Sequence, residues 1–290
     1  MSRLAARIRT GLTLAAGAAA LLWLHPLFPA GVLSLVVVSL LAGLSIWELD
    51  RMGSFRGRKL GWMLTFAGIL QTAALAVLIL NSRELGPRLG LAALYGASAL
   101  LSWPCLNPLG WVRPSLEVRD DRARLPLARE VVPLAMWLLP PLFSIVLVDR
   151  EFGTTGLVVL IVLAKAGDNA GFFVGRALGK RHPFPNISPG KTVAGCVASL
   201  VAGVVVGGIV LPLTLGARSL TDVALGAVLG ALINVAAQAG DLSESWVKRR
   251  AGVKDSSTLL GPSGGVLDVI DSLLLAAPVA LVSWHLAYGA

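Results

Sequence analysis

Charge is what this chain has least of. Only 14% of its 290 residues are Asp, Glu, Lys or Arg, against about 25% in a soluble domain. With 56% of residues apolar and a mean hydropathy of +0.78, this excludes an ordinary soluble fold and indicates an integral membrane protein. Acids are scarcer than bases, 16 against 25, for a net charge of +9. In so apolar a chain that excess marks cytoplasmic loops, and nucleic acid is not an expected partner. Cysteine is nearly absent. Cys105 and Cys196 give neither a disulfide framework nor a CxxC metal site, and read as small apolar residues. The three histidines, His25, His182 and His285, are far apart in sequence, so no Ser-His-Asp arrangement is expected. No polar stretch is long enough for a soluble domain. The longest, 107–129, reads as an interfacial loop or short amphipathic helix.

What the chain does have is long apolar runs. Nine candidate spans fall at about 10–24, 31–49, 60–80, 89–106, 130–148, 156–179, 192–215, 222–245 and 266–287. The first follows Arg3, Arg7 and Arg9 as in a signal peptide. Because many spans come after it, it reads as uncleaved. With the N-terminus in the cytoplasm, the cytoplasmic segments hold 20 of the Lys and Arg residues and the opposite ones hold four, Arg83, Arg88, Arg150 and Arg218. That asymmetry supports an odd number of spans. The expected fold is therefore an all-α integral membrane protein of about nine transmembrane helices. Residues 1–150 form an N-terminal packing half and 151–290 a C-terminal half that carries the chemistry.

Three places break the apolar rule, all at the cytoplasmic ends of the sixth to ninth spans. The first is Lys165 and Asp168, an i, i+3 pair at membrane depth. Ionisable groups there usually face a polar cavity, although a simple helix-tying ion pair is the plainer reading. Glycines 167, 171, 175 and 179 on the same helix indicate close helix packing. The second is "PNISPGKT", which sets Ser188, Lys191 and Thr192 at the start of a helix, a position suited to phosphate. It lacks the P-loop spacing. The third is Gly240–Asp271. Asp241, Glu244 and Lys248 share one helix face, and Asp268 and Asp271 sit at i and i+3 where the ninth span begins. Between them lies a basic, glycine-rich loop with Lys254 and Asp255. Hard divalent cations take carboxylate oxygens and keep phosphates as further ligands. Acids for metal, bases for phosphate and an apolar surround suggest phosphoryl or nucleotidyl transfer onto a lipid.

These residues resemble the signature of the phosphatidate cytidylyltransferases, or CDP-diacylglycerol synthases. Ser245, Lys248, Arg249, Lys254, Asp255, Gly264, Gly265, Asp268 and Asp271 match that family's pattern in spacing. "GDLSES", "DNAGFFVGRALGK" and "ISPGKTVAG" match its upstream motifs, and "IWELDRM" around Glu48 is similar to a weaker N-terminal feature. The motif match covers about 165–272; before that the likeness is mainly one of hydropathy.

The resemblance implies a reaction of CTP with phosphatidate or a related lipid phosphate, assisted by Mg²⁺ and with a second cation as an option. It implies Asp241, Asp268 and Asp271 as metal ligands. Lys248, Asp255, Lys191 and Asp168 would be catalytic. Ser188, Lys191, Ser245, Lys248, Arg249, Lys254, Gly264 and Gly265 would bind substrate. It also implies a homodimer in a bacterial inner membrane, with the site facing the cytoplasm. The departures from the pattern are Ser263 for His, Val269 for Arg, Ala194 for Glu and Phe172 for Tyr. They leave three alternatives: CTP chemistry on another lipid acceptor, a catalytically impaired membrane paralogue, or a non-catalytic scaffold. A transporter would show matching polar breaks in both halves, and here they fall only in the second.

Overall fold

The computed structural model describes residues 3–28, 31–52, 127–214, 219–261 and 264–288. The described residues are helical and contain no strand. In chain order they are α1 (Arg3–Leu24), a 3-10 turn (His25–Leu27), α2 (Val32–Arg51), α3 (Leu127–Leu178), α4 (Val193–Thr214), α5 (Leu220–Arg250) and α6 (Leu267–Tyr288). The spans read at 60–80 and 89–106, most of the loop at 107–129, Cys105 and Ser263 lie outside the described residues. Among the described helices, α2, α4, α5, α6 and the Leu134–Leu178 stretch of α3 are long and apolar enough to cross a membrane.

The two spans read at 130–148 and 156–179 are one helical element with a corner. Gly153 sits at φ 64°, ψ −167°, a backbone region open essentially to glycine alone. A straight helix of 45 residues, the length of Leu134–Leu178, would run about 67 Å, twice the hydrocarbon thickness. Divided at Gly153, each arm is long enough to cross once. His25 packs at this corner in a way the sequence did not suggest. Its Nε2 lies 2.6 Å from Asp149 Oδ1 and its Nδ1 2.7 Å from Thr154 Oγ1. Ser34 Oγ donates to Asp149 Oδ2 at 2.6 Å. The end of α1, the start of α2 and the bend of α3 are joined there.

The helices pack by the rule for membranes: small residues inside, aliphatic side chains outside. Gly207 of α4 faces Gly226 and Gly230 of α5 so closely that a Cβ on it would sit 2.6 Å from Gly230 Cα. Gly171 of α3 faces Gly195 of α4, where a Cβ would meet the Gly195 carbonyl at 3.2 Å. Close backbone approach of this kind replaces the hydrophobic drive that lipid cannot supply. An amide cluster adds directed contacts. Ser199 Oγ and Gln238 Nε2 both donate to Asn234 Oδ1, at 3.2 and 2.8 Å. The outer faces of α4 and α5 present Val197, Val201, Ile209, Val228 and Val235. The core lies around α6, where Leu274, Ala276, Ala277, Ala280 and Trp284 are wholly buried against Trp137, Leu138, Leu142 and Phe143 of α3. Trp284 meets Phe152 edge-on at 5.6 Å.

Candidate active site

At the end of the bundle away from the Gly153 corner, the C-termini of α2 and α5, the loop into α4 and the N-terminus of α6 meet. Three carboxylates converge there. Asp241 and Glu244 lie one turn apart on α5 and Asp271 lies one turn into α6, with a ligand oxygen of each within 4.8 Å of the others. Gly240 makes this approach possible, since a Cβ on it would stand 3.3 Å from the Asp271 carbonyl carbon. Trp137 Nε1 donates to Ser243 Oγ at 2.9 Å, and Ser243 Oγ to the Gly240 carbonyl at 2.6 Å, which fixes this part of α5 against α3.

Lysines from three elements ring the acids. Lys191 Nζ lies 2.8 Å from Asp241 Oδ2 and also donates to the Gln238 carbonyl at 3.3 Å. Lys165 Nζ bridges α3 to α6, donating to Asp168 Oδ2 at 3.2 Å, the Val269 carbonyl at 3.1 Å and Ser272 Oγ at 2.8 Å. Lys248 Nζ stands between Glu244 Oε2 at 2.6 Å and Asp268 Oδ1 at 2.5 Å. The Lys248 ammonium is thus shared between the two carboxylates. Glu244 is fully buried; its Oε2 meets the Lys248 ammonium, and its Oε1 has no hydrogen-bond donor. A buried acceptor without a donor is rare in native structures. A buried carboxylate oxygen without a donor, beside two further carboxylates, is what a hard divalent cation would take as a ligand.

The structure separates the sequence-derived candidates into distinct places. Asp241 and Asp271 lie in the carboxylate cluster with Glu244. Asp268 is joined to Glu244 of that cluster through Lys248. Its Oδ2 accepts from Ser256 N at 2.9 Å, Ser256 Oγ at 2.7 Å and Gly265 N at 2.7 Å, and its Oδ1 is taken by Lys248. Ser245 Oγ is 3.5 Å from Asp241 Oδ1, at the limit of a hydrogen bond. Arg249 is a clamp, its Nε donating to the Ile187 carbonyl at 3.1 Å and its Nη1 to the Val253 carbonyl at 3.2 Å. It thereby holds the Ser188–Lys191 turn against α5, where Ile187 also packs on Leu242. Ser188 is half-buried in that turn, and its carbonyl accepts from Lys191 N at 3.1 Å. Thr192 Oγ1 caps α4 by accepting from Gly195 N at 3.1 Å. Lys254 and Asp255 are exposed beyond the end of α5.

Gly264 and Gly265 are buried, and geometry explains both. Gly264 has φ 84°, and a Cβ there would reach Asp268 Oδ2 at 2.5 Å. A Cβ on Gly265 would collide with Ser256 Oγ and the Glu48 carboxylate. Glu48, wholly buried at the end of α2, is absent from the sequence-derived set. Its one sequence signal was an acid closing an apolar span in "IWELDRM". Glu244 was visible on the α5 face, but spacing alone did not select it over Asp268.

A family model for the cytidylyltransferase family matches residues 5–287. The chain belongs to the cytidylyltransferase family. Among curated proteins, this family member is 42% identical over 129 residues to the phosphatidate cytidylyltransferase of Brucella suis, covering 44% of this chain and 46% of the relative. It is 40% identical over 134 residues to that of Haemophilus influenzae, covering 45% and 46%. To that of Helicobacter pylori strain J99 it is 40% identical over 136 residues, covering 47% and 49%. The matched stretch thus spans about half the length of these relatives.

Proposed function

We propose that this cytidylyltransferase-family member is a phosphatidate cytidylyltransferase. It would form CDP-diacylglycerol and pyrophosphate from CTP and phosphatidate. The observation that carries the reading is the convergence of buried Glu244 with half-buried Asp241 and Asp271, ringed by lysines where helix ends meet at the edge of an apolar bundle. A bound Mg²⁺ would be held by these carboxylates and would supply charge neutralisation at the triphosphate. The Lys191 turn and Lys248 would bind triphosphate oxygens. The attacking lipid phosphate oxygen bonds to the α-phosphorus of CTP as the bond to pyrophosphate breaks. In-line attack is favoured when both ends are fixed and water is excluded.

In this reading the chain spans a bacterial inner membrane about nine times, with the site in the cytoplasm where CTP is found. Residues 151–290 carry the chemistry, residues 1–150 pack and face lipid, and the protein works as a homodimer. The test is Mg²⁺-dependent formation of CDP-lipid from CTP and phosphatidate by the purified protein. Asp241→Asn is expected to abolish it. CTP binding without CDP-lipid formation would move the reading to another lipid acceptor. Full activity in Asp241→Asn would overturn the assigned site.

A further inference from the structure

We infer that Glu48 is a positioning residue that sets the cation affinity of the carboxylate trio through a chain of contacts. The inference rests on the reading of that trio as a metal site. Each Glu48 oxygen accepts one hydroxyl and one backbone amide. Oε1 takes Ser257 Oγ at 2.7 Å and Val266 N at 2.8 Å. Oε2 takes Ser256 Oγ at 2.9 Å and Leu267 N at 2.9 Å. The two amides belong to the entry of α6, whose first N–H groups have no partner within the helix. One side chain from α2 therefore fixes both the serine turn and the start of α6.

The consequences run onward to the trio. Ser256, held by Glu48, gives its N–H to Asp268 and lies 2.7 Å from Asp268 Oδ2 with its hydroxyl. Its single hydroxyl proton can serve only one carboxylate at a time, so its place between Glu48 and Asp268 couples the two. Asp268, anchored on Oδ2, offers Oδ1 to Lys248. Lys248 is thereby shared between Asp268 and Glu244. If Asp268 is displaced, the ammonium turns fully to Glu244 and competes with a cation for that carboxylate. Groups that orient metal ligands from behind typically change metal affinity about 10–100-fold when altered.

The near-isosteric change Glu48→Gln tests this sharply. Whichever way the amide is turned, its NH₂ faces a backbone N–H, of Val266 or of Leu267, and the entry to α6 must shift. The experiment is direct Mn²⁺ binding by electron paramagnetic resonance. It uses the full-length protein in detergent as wild type, Glu48→Gln, Ser256→Ala and Asp241→Asn, with thermal melting of each. The expected result is Mn²⁺ binding by the wild type, roughly tenfold weaker in Glu48→Gln and weakened less in Ser256→Ala, which keeps the backbone contacts. Asp241→Asn is expected not to bind. A purely structural cap would lower the melting temperature of Glu48→Gln and leave the affinity of its folded fraction unchanged, and that result overturns the inference. Ser256→Ala decides the matter in the same way if Glu48→Gln does not fold. Equal Mn²⁺ binding by wild type and Asp241→Asn, or none by either, removes the metal reading itself and the inference with it.

Discussion

Replacing Lys248 with Met should expose how the acids are balanced. Its ammonium is the one charge touching both Glu244 and Asp268, and all three side chains are at most 10% exposed. Removing one member of a buried ion pair costs about 3–5 kcal/mol, because the partner charge stays buried. Asp268 keeps its two backbone donors, Ser256 N and Gly265 N, and a share of the Ser256 hydroxyl. The cost therefore falls on Glu244, which has no hydrogen-bond donor besides Lys248. At roughly 2–4 °C per kcal/mol for a chain of this size, the melting temperature should drop by roughly 6–20 °C. Adding Glu244→Gln should recover most of that loss without restoring activity, since the trio then lacks an acid. Mg²⁺ should stabilise Lys248→Met more than wild type, because a cation bound only by the folded state raises stability by mass action. The assay is thermal melting in detergent with and without Mg²⁺. A Lys248→Met protein that melts with the wild type, or a double variant no more stable than the single one, refutes the reasoning.

Other expectations follow from the same geometry. Arg249→Lys keeps the charge but loses the two-carbonyl clamp, worth about 1.5–3 kcal/mol per charged hydrogen bond; steady-state kinetics should show KM for CTP rising more than kcat falls. Gly240→Ala should lower CDP-lipid formation by parting α5 from α6, whereas Gly43→Ala, with nothing within 4 Å of its Cβ, should behave as wild type in the same assay. Asp149→Asn weakens the His25 and Ser34 contacts at the opposite end; melting should show a loss of about 1–3 kcal/mol with the Mg²⁺ concentration for half-maximal activity unchanged.

Much of the bundle was legible because membrane helices announce themselves by length and apolarity, and α2, α4, α5 and α6 fall where the apolar runs lie. The site end was legible through charge, since Lys165, Asp168, Lys191, Asp241, Lys248 and Asp271 are polar groups without another reason to stand there. Spacing fixes which residues share one helix face; it does not say what a neighbouring element brings to that face. Hence the sequence shows Asp268 as an acid at the start of a span but not that the backbone N–H groups of Ser256 and Gly265 reach it. Arg249 reads as a phosphate binder, while its guanidinium closes a turn. The break expected between the spans at 130–148 and 156–179 is a corner at Gly153, and the helix runs up to that glycine.

The Glu48 contacts join residues 208 to 219 positions apart. They set a limit on how this protein can be divided. A fragment beginning after α2 would keep every lysine and acid of the C-terminal site, yet leave the Ser257 hydroxyl and the Val266 and Leu267 amides without the acceptor that Glu48 supplies. Such a piece is not a module, and it could not be grafted onto another anchor. Split into two pieces, the chain should regain its site only when the partner fragment supplies α2, so the last turn of one early span is as much a part of the inheritable unit as the motifs that identify it.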